Sequence, residues 1–537
     1  MKRFLVAIFI VLMAWLSIYW WGRSAPLTKA QRAIDHGDPG EAVEILIEAL
    51  DNGSLSLEKE EAMRELLAKS YWNKGAIDSS EQCLRTLIEK FPQNFYASLG
   101  LGVLNLLRDR ATFGVAYLEE AKRLDPKDIR PYLILGQYYS GIRDYQKATE
   151  NISTGLGQFP NNERLAELSG DLLFNQGRYH EAMVIYQPLH LSSPVDRDLR
   201  VKIARCLLFS GEIQKASEIL NDLRPSSGTD ENIELLLARI LFQQGQRKKS
   251  AEIAERLYRE DNRRLTSGIS WANSLAEDEN FGEAEKVLTT IGETLLPLGG
   301  DFSTPVGGQT FYDLERLENV RAVSKYQRIA YYQARATLAG IQNRYSEATQ
   351  YLEQAINIDQ GDFGTIAQMA ELARLKNEPE NRLKWANTGV SLYKNHPAAL
   401  LLRAGILLDL RHTQDAVVDT RLVADSYPKL AYAQALLSKA WMMQKNPGAA
   451  LAAAKHAVRL NPGTPEAQLA LATATATLGL NEEADGAFRS AVDINPRFAE
   501  ARNTWGIWLM SMGHTHEANI QFQEASRLEP LIYKPQR

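Results

Sequence analysis

The stretch YLILGQYYSGIRDYQKATENISTGLGQFP, residues 132–160, decides the fold of this chain. Apolar residues recur at helical spacing in both of its halves, as in Leu135 and Tyr139 and then Ala148 and Ile152. The stretch ends at Pro160, and proline stops a helix because it lacks an amide donor and restricts the residue before it. The pattern therefore predicts two helices joined by a short turn.

This arrangement recurs along the chain with a period of 34 residues. Prolines fall at 92, 126, 160 and 194, and again at 428, 462, 496 and 530. When each proline is given position 32, position 8 is a small residue: Gly102, Gly136, Gly170, Ala404, Ser438, Ala472 and Gly506. Position 20 is alanine: Ala148, Ala182, Ala216, Ala284, Ala348, Ala416, Ala450, Ala484 and Ala518. Small residues at these positions let paired helices approach closely, and a fixed period of this length indicates a repeat architecture.

The same pattern resembles the tetratricopeptide repeat (TPR) family, whose repeats carry a small residue at position 8, alanine at 20, an aromatic or apolar residue at 24 and proline at 32. The segment TWGIWLMSMGHTHEANIQFQEASRLEP, residues 504–530, also carries it. The resemblance implies an all-α fold, a right-handed α-solenoid of about fourteen TPR helix pairs. It is weakest in the repeat that begins at residue 363, which has Arg382 at position 20 and Lys394 at position 32. The repeats begin near residues 23, 61, 95, 129, 163, 197, 231, 265, 329, 363, 397, 431, 465 and 499.

The two series of prolines are out of phase, which places an insertion of about thirty residues between the repeats at 265 and 329. Glycines at 299, 300, 307 and 308, together with Pro297 and Pro305, are typical of a loop. From Phe311 onward the pattern becomes helical and predicts an extended first helix of the next repeat. The insertion is interpreted as a solvated loop, as a flap over the groove, or as a joint between two halves of the solenoid.

The first segment has the properties of a membrane anchor. Residues 4–21, FLVAIFIVLMAWLSIYWW, carry no charge, and as a helix they would span about 27 Å, the thickness of a bilayer's hydrocarbon core. The lack of a small-residue cleavage pattern favours an uncleaved transmembrane signal-anchor over a secretory signal. Lys2 and Arg3 before the span favour a body outside the cytoplasm, and a cytoplasmic body is the alternative.

Composition and motifs exclude several classes of function. The net charge of −5 argues against a nucleic-acid binder, which normally presents a basic face. Cys83 and Cys206 have no paired spacing, so they predict neither a zinc site nor a disulfide. The sequence contains no phosphate-binding loop, zinc-protease motif or nucleophile elbow. It therefore predicts no catalytic residue, no cofactor and no enzyme activity.

His514, His516 and Glu517 form the one group that suggests a metal site. In the repeat numbering they lie in the turn between the paired helices. The equivalent turns of the two preceding repeats contain no histidine, so the group is interpreted as part of a turn and no metal is expected.

Positions 2, 5, 9 and 12 of each first helix share one helical stripe and are predicted to face the concave surface of the solenoid. They give Arg130 and Arg164 at position 2, Arg205, Arg239 and Asn273 at position 9, and Trp72, Phe174 and Phe242 at position 12. Arginines beside aromatic rings would suit an extended segment that carries carboxylates. The alternative is that each arginine pairs with a nearby acid, such as Glu167, Asp171 or Asp198, and binds no ligand.

The resemblance implies a scaffold that binds a protein or peptide in its concave groove. The expected protein is a single-pass membrane protein of a bacterial TPR type, with its body outside the cytoplasm. Its predicted parts are an anchor (1–22), an N-terminal TPR array (23–294), the insertion (295–328), a C-terminal TPR array (329–530) and a tail (531–537). The alternatives are a cytoplasm-facing adaptor that regulates envelope synthesis and an accessory subunit of an enzyme or glycan-processing complex.

Overall fold

The computed structural model describes residues 26–51, 55–108, 110–225, 229–295 and 314–533, with side chains from residue 325 onward in the last range. Within these ranges the chain forms 28 helices and no strand, which is the all-α architecture that the proline period predicts. The predicted transmembrane segment, residues 1–22, lies outside the described residues. Among the helices that are described, none is both long enough and apolar enough to cross a bilayer.

The chain divides into two compact units, Met1–Leu168 with Gly300–Val323, and Ser169–Gly299 with Ser324–Arg537. The first unit contains α1 (Pro26–Asp35), α2 (Pro39–Asp51), α3 (Leu57–Asn73), α4 (Ile77–Lys90), α5 (Phe95–Leu107), α6 (Ala111–Leu124), α7 (Arg130–Gly141), α8 (Tyr145–Gln158) and the first residues of α9 (Glu163–Asn175).

The second unit contains the rest of α9 and the helices that follow it. Up to the insertion these are α10 (Tyr179–Ser192), α11 (Arg197–Phe209), α12 (Ile213–Asp222), α13 (Glu231–Gln243), α14 (Arg247–Glu260), α15 (Leu265–Glu277) and α16 (Phe281–Leu295). After it come α17 (Leu314–Ile341), of which residues 324 onward belong here, α18 (Tyr345–Ile358), α19 (Phe363–Leu375), α20 (Pro379–Leu392), α21 (Pro397–Asp409), α22 (Thr413–Ser426), α23 (Ala431–Met443), α24 (Pro447–Leu460), α25 (Pro465–Thr477), α26 (Asn481–Ile494), α27 (Ala499–Ser511) and α28 (Thr515–Leu528).

Glycine at position 8 makes room for the side chain at position 24 of the same repeat. A Cβ atom built on Gly102 would lie 2.6 Å from Leu118 Cγ, and one on Gly136 would lie 2.8 Å from Ile152 Cγ1. Such distances are shorter than carbon atoms can approach, so a larger residue would force the paired helices apart. The small residue at position 8 is therefore a packing requirement.

Position 15, in the turn between paired helices, has a left-handed backbone conformation. It is glycine in seven described repeats, for example Gly211 with φ of +89°. Elsewhere it is a larger residue, such as Glu279 with φ of +60°. A left-handed residue after a helix lets the chain reverse while capping the last carbonyls, and glycine does so without a steric penalty.

Within the second unit, turns between paired helices pack against loops between later repeats. We call this contact the seam, and it joins turn residues 177–179, 211–212, 243–245 and 279 to loop residues 396–397, 427–430, 461–463 and 497. A Cβ atom on Gly211 would collide with the carbonyl of Lys429. The apolar core is continuous across it, since Leu208 and Leu237 belong to the same buried cluster as Leu408 and Leu436.

Hydrogen bonds and ion pairs follow the seam at the spacing of the repeats. The Tyr427 hydroxyl donates to the carbonyl of Gly177. The Asn461 Nδ2 amide donates to the carbonyl of Gln243 at 2.7 Å, across 218 residues of sequence. Glu279 binds Arg497 at 2.5 Å, again across 218 residues. The Asn461 and Arg497 contacts share this separation, and Lys429 binds Glu212 across 217 residues, so these repeats meet in a fixed register.

Candidate partner-binding surfaces

Arg205 and Arg239, the arginine pair, occupy position 9 of adjacent repeats on α11 and α13. The Arg205 guanidinium carbon lies 4.7 Å from the centre of the Phe174 ring, and that of Arg239 lies 4.7 Å from the centre of the Phe209 ring. Stacking on an aromatic face fixes the plane of a guanidinium group while its edge N–H donors stay available.

Neither arginine of the pair has an acidic partner among the residues that the structure describes. Asp171, one of the acids that the sequence offers as a partner, instead accepts hydrogen bonds from Lys202 at 2.7 Å and from the Tyr186 hydroxyl at 2.6 Å. Both arginine side chains are exposed. The surrounding protein partly desolvates the Arg239 guanidinium and so lowers its pKa, and the charge of Arg205 lowers it further. Arginine nevertheless keeps its charge at any physiological pH. The pair therefore presents two uncompensated cations.

The rings beneath the arginine pair belong to an aromatic cluster at the seam. Tyr179 stacks on Phe209 with 5.6 Å between ring centres and lies 5.3 Å from Phe174. On its other side it lies 5.5 Å from Tyr427. Burial raises the pKa of Tyr179, so its hydroxyl stays protonated. The seam thus holds the aromatic platform on which both guanidinium groups rest.

Two other predicted residues of the second unit are Phe242, in the same repeat as Arg239, and Asn273, in the repeat that follows. Phe242 is 42% exposed and is covered by Arg247, whose guanidinium carbon lies 4.6 Å from the ring centre. Asn273 is half-buried, and its Oδ1 atom has no hydrogen-bond partner among the described residues. The structure therefore brings Phe174, Arg205 and Arg239 into one group and adds Phe209, which the sequence stripe omits.

The remaining predicted residues belong to the first unit. Trp72 is only 2% exposed and packs in the core. Arg130 binds Asp128 at 2.6 Å and lies over the rings of Phe95 and Tyr96. Arg164 is exposed near the start of α9. Because it is buried, Trp72 does not present its ring to a partner. Arg130 and Arg164 stay separate predictions, because no described contact joins them to the arginine pair.

A second surface is a cavity of about 830 Å³ in the second unit, which we call the C-terminal cavity. Its lining alternates charged groups with apolar ones, and includes Arg374, Arg382, Leu402, Asp409, Tyr432, Leu436, Lys439, Glu466, Leu469, Ala470, Arg497, Glu500, Glu529 and Tyr533. Asp409 accepts from Arg382 and from Lys439, both at 2.8 Å. Lys439 also donates to Glu500 at 2.8 Å, which makes one connected network.

Burial and neighbouring charges shift the pKa values of Lys439 and Asp409 in opposite directions. Burial opposes the charge of Lys439, but Glu500 and Asp409 outweigh it and raise the pKa of its amine. Burial likewise opposes ionisation of Asp409, and Lys439 and Arg382 lower the pKa of that carboxyl. Glu466 differs, since burial and then the charge of Glu500 raise its pKa.

Part of this cavity could have been predicted from the repeat positions in the sequence. Tyr432, Glu466 and Glu500 occupy position 2 of their repeats, and Lys439 occupies position 9. The same stripe that yields the arginine pair would have found them if extended past the insertion. Arg382 and Asp409 lie off that stripe, so no periodicity indicates them.

In the turn that holds His514 and His516, the Nδ1 atom of His514 lies 2.9 Å from the Glu517 carboxylate. Across the described ranges, no group of three or more histidine, cysteine or acidic side chains is arranged to hold a metal ion.

Three models of the tetratricopeptide repeat match the chain, one at residues 173–240, one at 65–129 and 440–497, and one at 329–362. This chain is a tetratricopeptide repeat protein. TPR repeats mediate protein–protein contacts, and the chain is accordingly a protein-interaction scaffold.

Among solved structures, a chain of the crystal structure of the APC/C hetero-tetramer Cut9-Hcn1 superposes with a TM-score of 0.59 at 13% identity, with 95% of each chain covered. At that identity the likeness concerns the TPR fold alone. A thermophilic TPR protein of Thermus thermophilus matches 31% of this chain and 90% of its own at 20% identity, with a TM-score of 0.28. The search of curated proteins finds no match.

Proposed function

We propose that this TPR scaffold holds an extended, carboxylate-bearing segment of a protein partner at the arginine pair, and that it binds without catalysing a reaction. The supporting observation is that Arg205 and Arg239 stack on aromatic rings in adjacent repeats and have no acidic partner within the described ranges. A guanidinium group without a carboxylate in a protein that is acidic overall is available for an external anion.

The shape of a guanidinium group matches that of a carboxylate. A planar guanidinium can donate two parallel N–H bonds to one carboxylate, which an ammonium cannot. Repeats of 34 residues place the two guanidinium groups one helix pair apart. An extended peptide with two acidic side chains could therefore contact both arginines.

Charge reversal of both arginines tests this function. We expect the double substitution Arg205→Glu and Arg239→Glu to weaken binding of a fluorescein-labelled decapeptide with two spaced glutamates by about 2 kcal/mol, roughly thirtyfold, in fluorescence anisotropy. The matched control is Arg123→Glu with Arg263→Glu, because each of these exposed arginines binds only a local acid. Equal affinity in the wild type and the first variant, with both folded, would rule out the arginine pair.

We further propose that residues 1–22 anchor the protein in a membrane, with the scaffold outside the cytoplasm. Support comes from the uncharged eighteen-residue segment 4–21 and the basic residues before it. Deletion of residues 1–22 should move the protein from the membrane pellet to the supernatant. A protein that still pellets after a high-salt wash would contradict a single anchor. Reporter fusions after residue 60, active only on one side of the membrane, would decide the orientation.

A further inference from the structure

Glu466 is the one acidic residue of the C-terminal cavity without a cation, as far as the structure is described. The other carboxylates of the lining each bind a base: Asp409 binds Arg382, Glu500 binds Lys439, Glu371 and Glu529 bind Arg374, and Glu378 binds Lys376. Glu466 keeps solvent contact through the cavity, while protein atoms surround it on other sides. A carboxylate in such a place lacks the cationic partner that buried charges usually have.

The backbone amide of its own residue, in the first turn of α25, interacts with the Glu466 carboxylate, but no cationic side chain is paired with it within the described residues. Glu500 faces it and repels it, and Lys439 is already shared between Glu500 and Asp409. Arg247 attracts the Glu466 charge, but it forms an ion pair with Glu277 and stacks on Phe242.

The rest of the lining suits a cation that has an aliphatic stem. The Tyr432 hydroxyl lines the cavity and forms no hydrogen bond with the described residues, and burial, followed by the charge of Glu466, raises its pKa. Leu436, Leu469 and Ala470 supply apolar walls beside these polar groups. Lysine and arginine side chains combine a hydrocarbon stem with a charged head, so they match both parts of such a lining. A cavity of about 830 Å³ is large enough for one.

We propose that the C-terminal cavity binds a lysine or arginine side chain of a protein partner, with its charged head at Glu466 and Glu500 and its stem against Leu436 and Leu469. The proposal rests on the proposed function, because both assume a protein partner. It adds that the partner carries a basic side chain, which this cavity would bind. A partner that also carries acidic residues for the arginine pair would engage both surfaces of the second unit.

The test compares two fluorescein-labelled decapeptides of glycine and serine that differ at one central residue. One carries arginine, and the other carries citrulline, which has nearly the same shape without the charge. We expect the wild-type protein to bind the arginine peptide at least fivefold more tightly in fluorescence anisotropy. Glu466→Gln should reduce that ratio to about one. The matched control Glu483→Gln, an exposed carboxylate paired with Lys455, should leave it unchanged.

Two further measurements keep the outcomes distinct. Without peptide, Glu466→Gln should raise the midpoint of thermal unfolding, because it removes an uncompensated charge. A lower midpoint would mean that Glu466 makes a structural contact, and it would overturn the proposal. Free argininamide should compete only at much higher concentration than the arginine peptide. Competition at equal concentration would assign the site to a free cation instead of a protein side chain.

The failure of this site can be separated from failure of the arginine pair. The double reversal of Arg205 and Arg239 should leave the arginine-to-citrulline ratio unchanged, since neither residue lines the cavity. Equal binding of both peptides by the wild type would overturn the cation site alone. Unaltered binding of the glutamate peptide by the double variant would overturn the arginine pair alone.

Discussion

At the scale of single residues, His396 shows how contacts across the seam change a side chain's chemistry. Its Nδ1 atom accepts a hydrogen bond from the Ala398 amide at 3.2 Å, and its Nε2 atom lies 3.5 Å from the Tyr179 hydroxyl. Rings of Phe363 and Tyr393 surround it at 6.0 and 5.8 Å between centres. This burial lowers the pKa of His396 to about 4.

A lowered histidine pKa predicts a loss of stability in mild acid. The unfolded chain binds a proton near pH 6.5, whereas the folded chain does not until about pH 4, so the unfolding free energy should fall as pH decreases between these values. We expect a loss of about 1 to 2 kcal/mol between pH 7 and pH 5 in urea unfolding. His396→Phe should remove that part of the slope, while His516→Phe, in an exposed turn, should keep it. The same slope in His396→Phe would contradict this origin.

Sequence reasoning could not have found this behaviour of His396. The residue stands at position 34 of its repeat, where Asp196 and Asp230 serve as N-caps of the following helices. The sequence therefore indicates only a helix start at this position. One of the neighbours that bury it, Tyr179, lies 217 residues away along the chain, which is not a multiple of the 34-residue period.

At the scale of elements, some turns between paired helices both reverse the chain and pack against other repeats. Gly211 and Gly479 both occupy position 15 and have φ of +89° and +74°. A Cβ atom on Gly479 would meet nothing within 4 Å, whereas one on Gly211 would collide with the Lys429 backbone. Glycine at position 15 is thus required by the backbone conformation alone at Gly479. At Gly211 it is required by both the backbone conformation and the packing against Lys429.

This difference predicts two sizes of effect for the same substitution. Gly479→Ala should cost about 1 kcal/mol of unfolding free energy, which is the penalty of a left-handed alanine. Gly211→Ala adds a backbone collision, so we expect a cost of about 3 kcal/mol or more in urea unfolding. Equal losses of unfolding free energy in the two variants would contradict this prediction, because they would show that the Lys429 backbone moves away from the added methyl group at little cost.

The helices could be predicted from the sequence, but the seam could not, because only contacts inside a repeat recur with the repeat period. Proline at position 32 and small residues at positions 8 and 20 report contacts inside one repeat, and those recur every 34 residues. The seam joins repeats that lie far apart in sequence, and its glycines look like ordinary turn glycines. In the same way, the stripe at position 9 found Arg205 and Arg239 but not Phe209, which supports Arg239 from the preceding repeat.

At the scale of the whole second unit, the seam changes how stability is distributed. Helix-pair repeats normally contact only their neighbours, so their stability is a sum of local terms and they can unfold in parts. Here Glu279 binds both Arg497 and Arg527, and Arg374 binds Glu529, which ties repeats together beyond nearest neighbours. Tyr179 of the aromatic platform packs against Tyr427 at the same seam, so the arginine pair and the coupling between repeats share one structural basis.

Hydrogen exchange measured by mass spectrometry would test this coupling. Helices α11 and α23 lie on opposite sides of the seam, and their core residues Leu208 and Leu436 belong to one buried cluster. If the seam couples them, both helices should open in the wild type with free energies equal to within about 0.5 kcal/mol. In Gly211→Ala the two values should separate by more than about 1 kcal/mol, because each set of repeats then opens alone. Gly479→Ala, whose turn makes no seam contact, should keep them equal. Distinct values in the wild type would mean that the seam is a contact without cooperativity, and that the repeats on its two sides unfold independently.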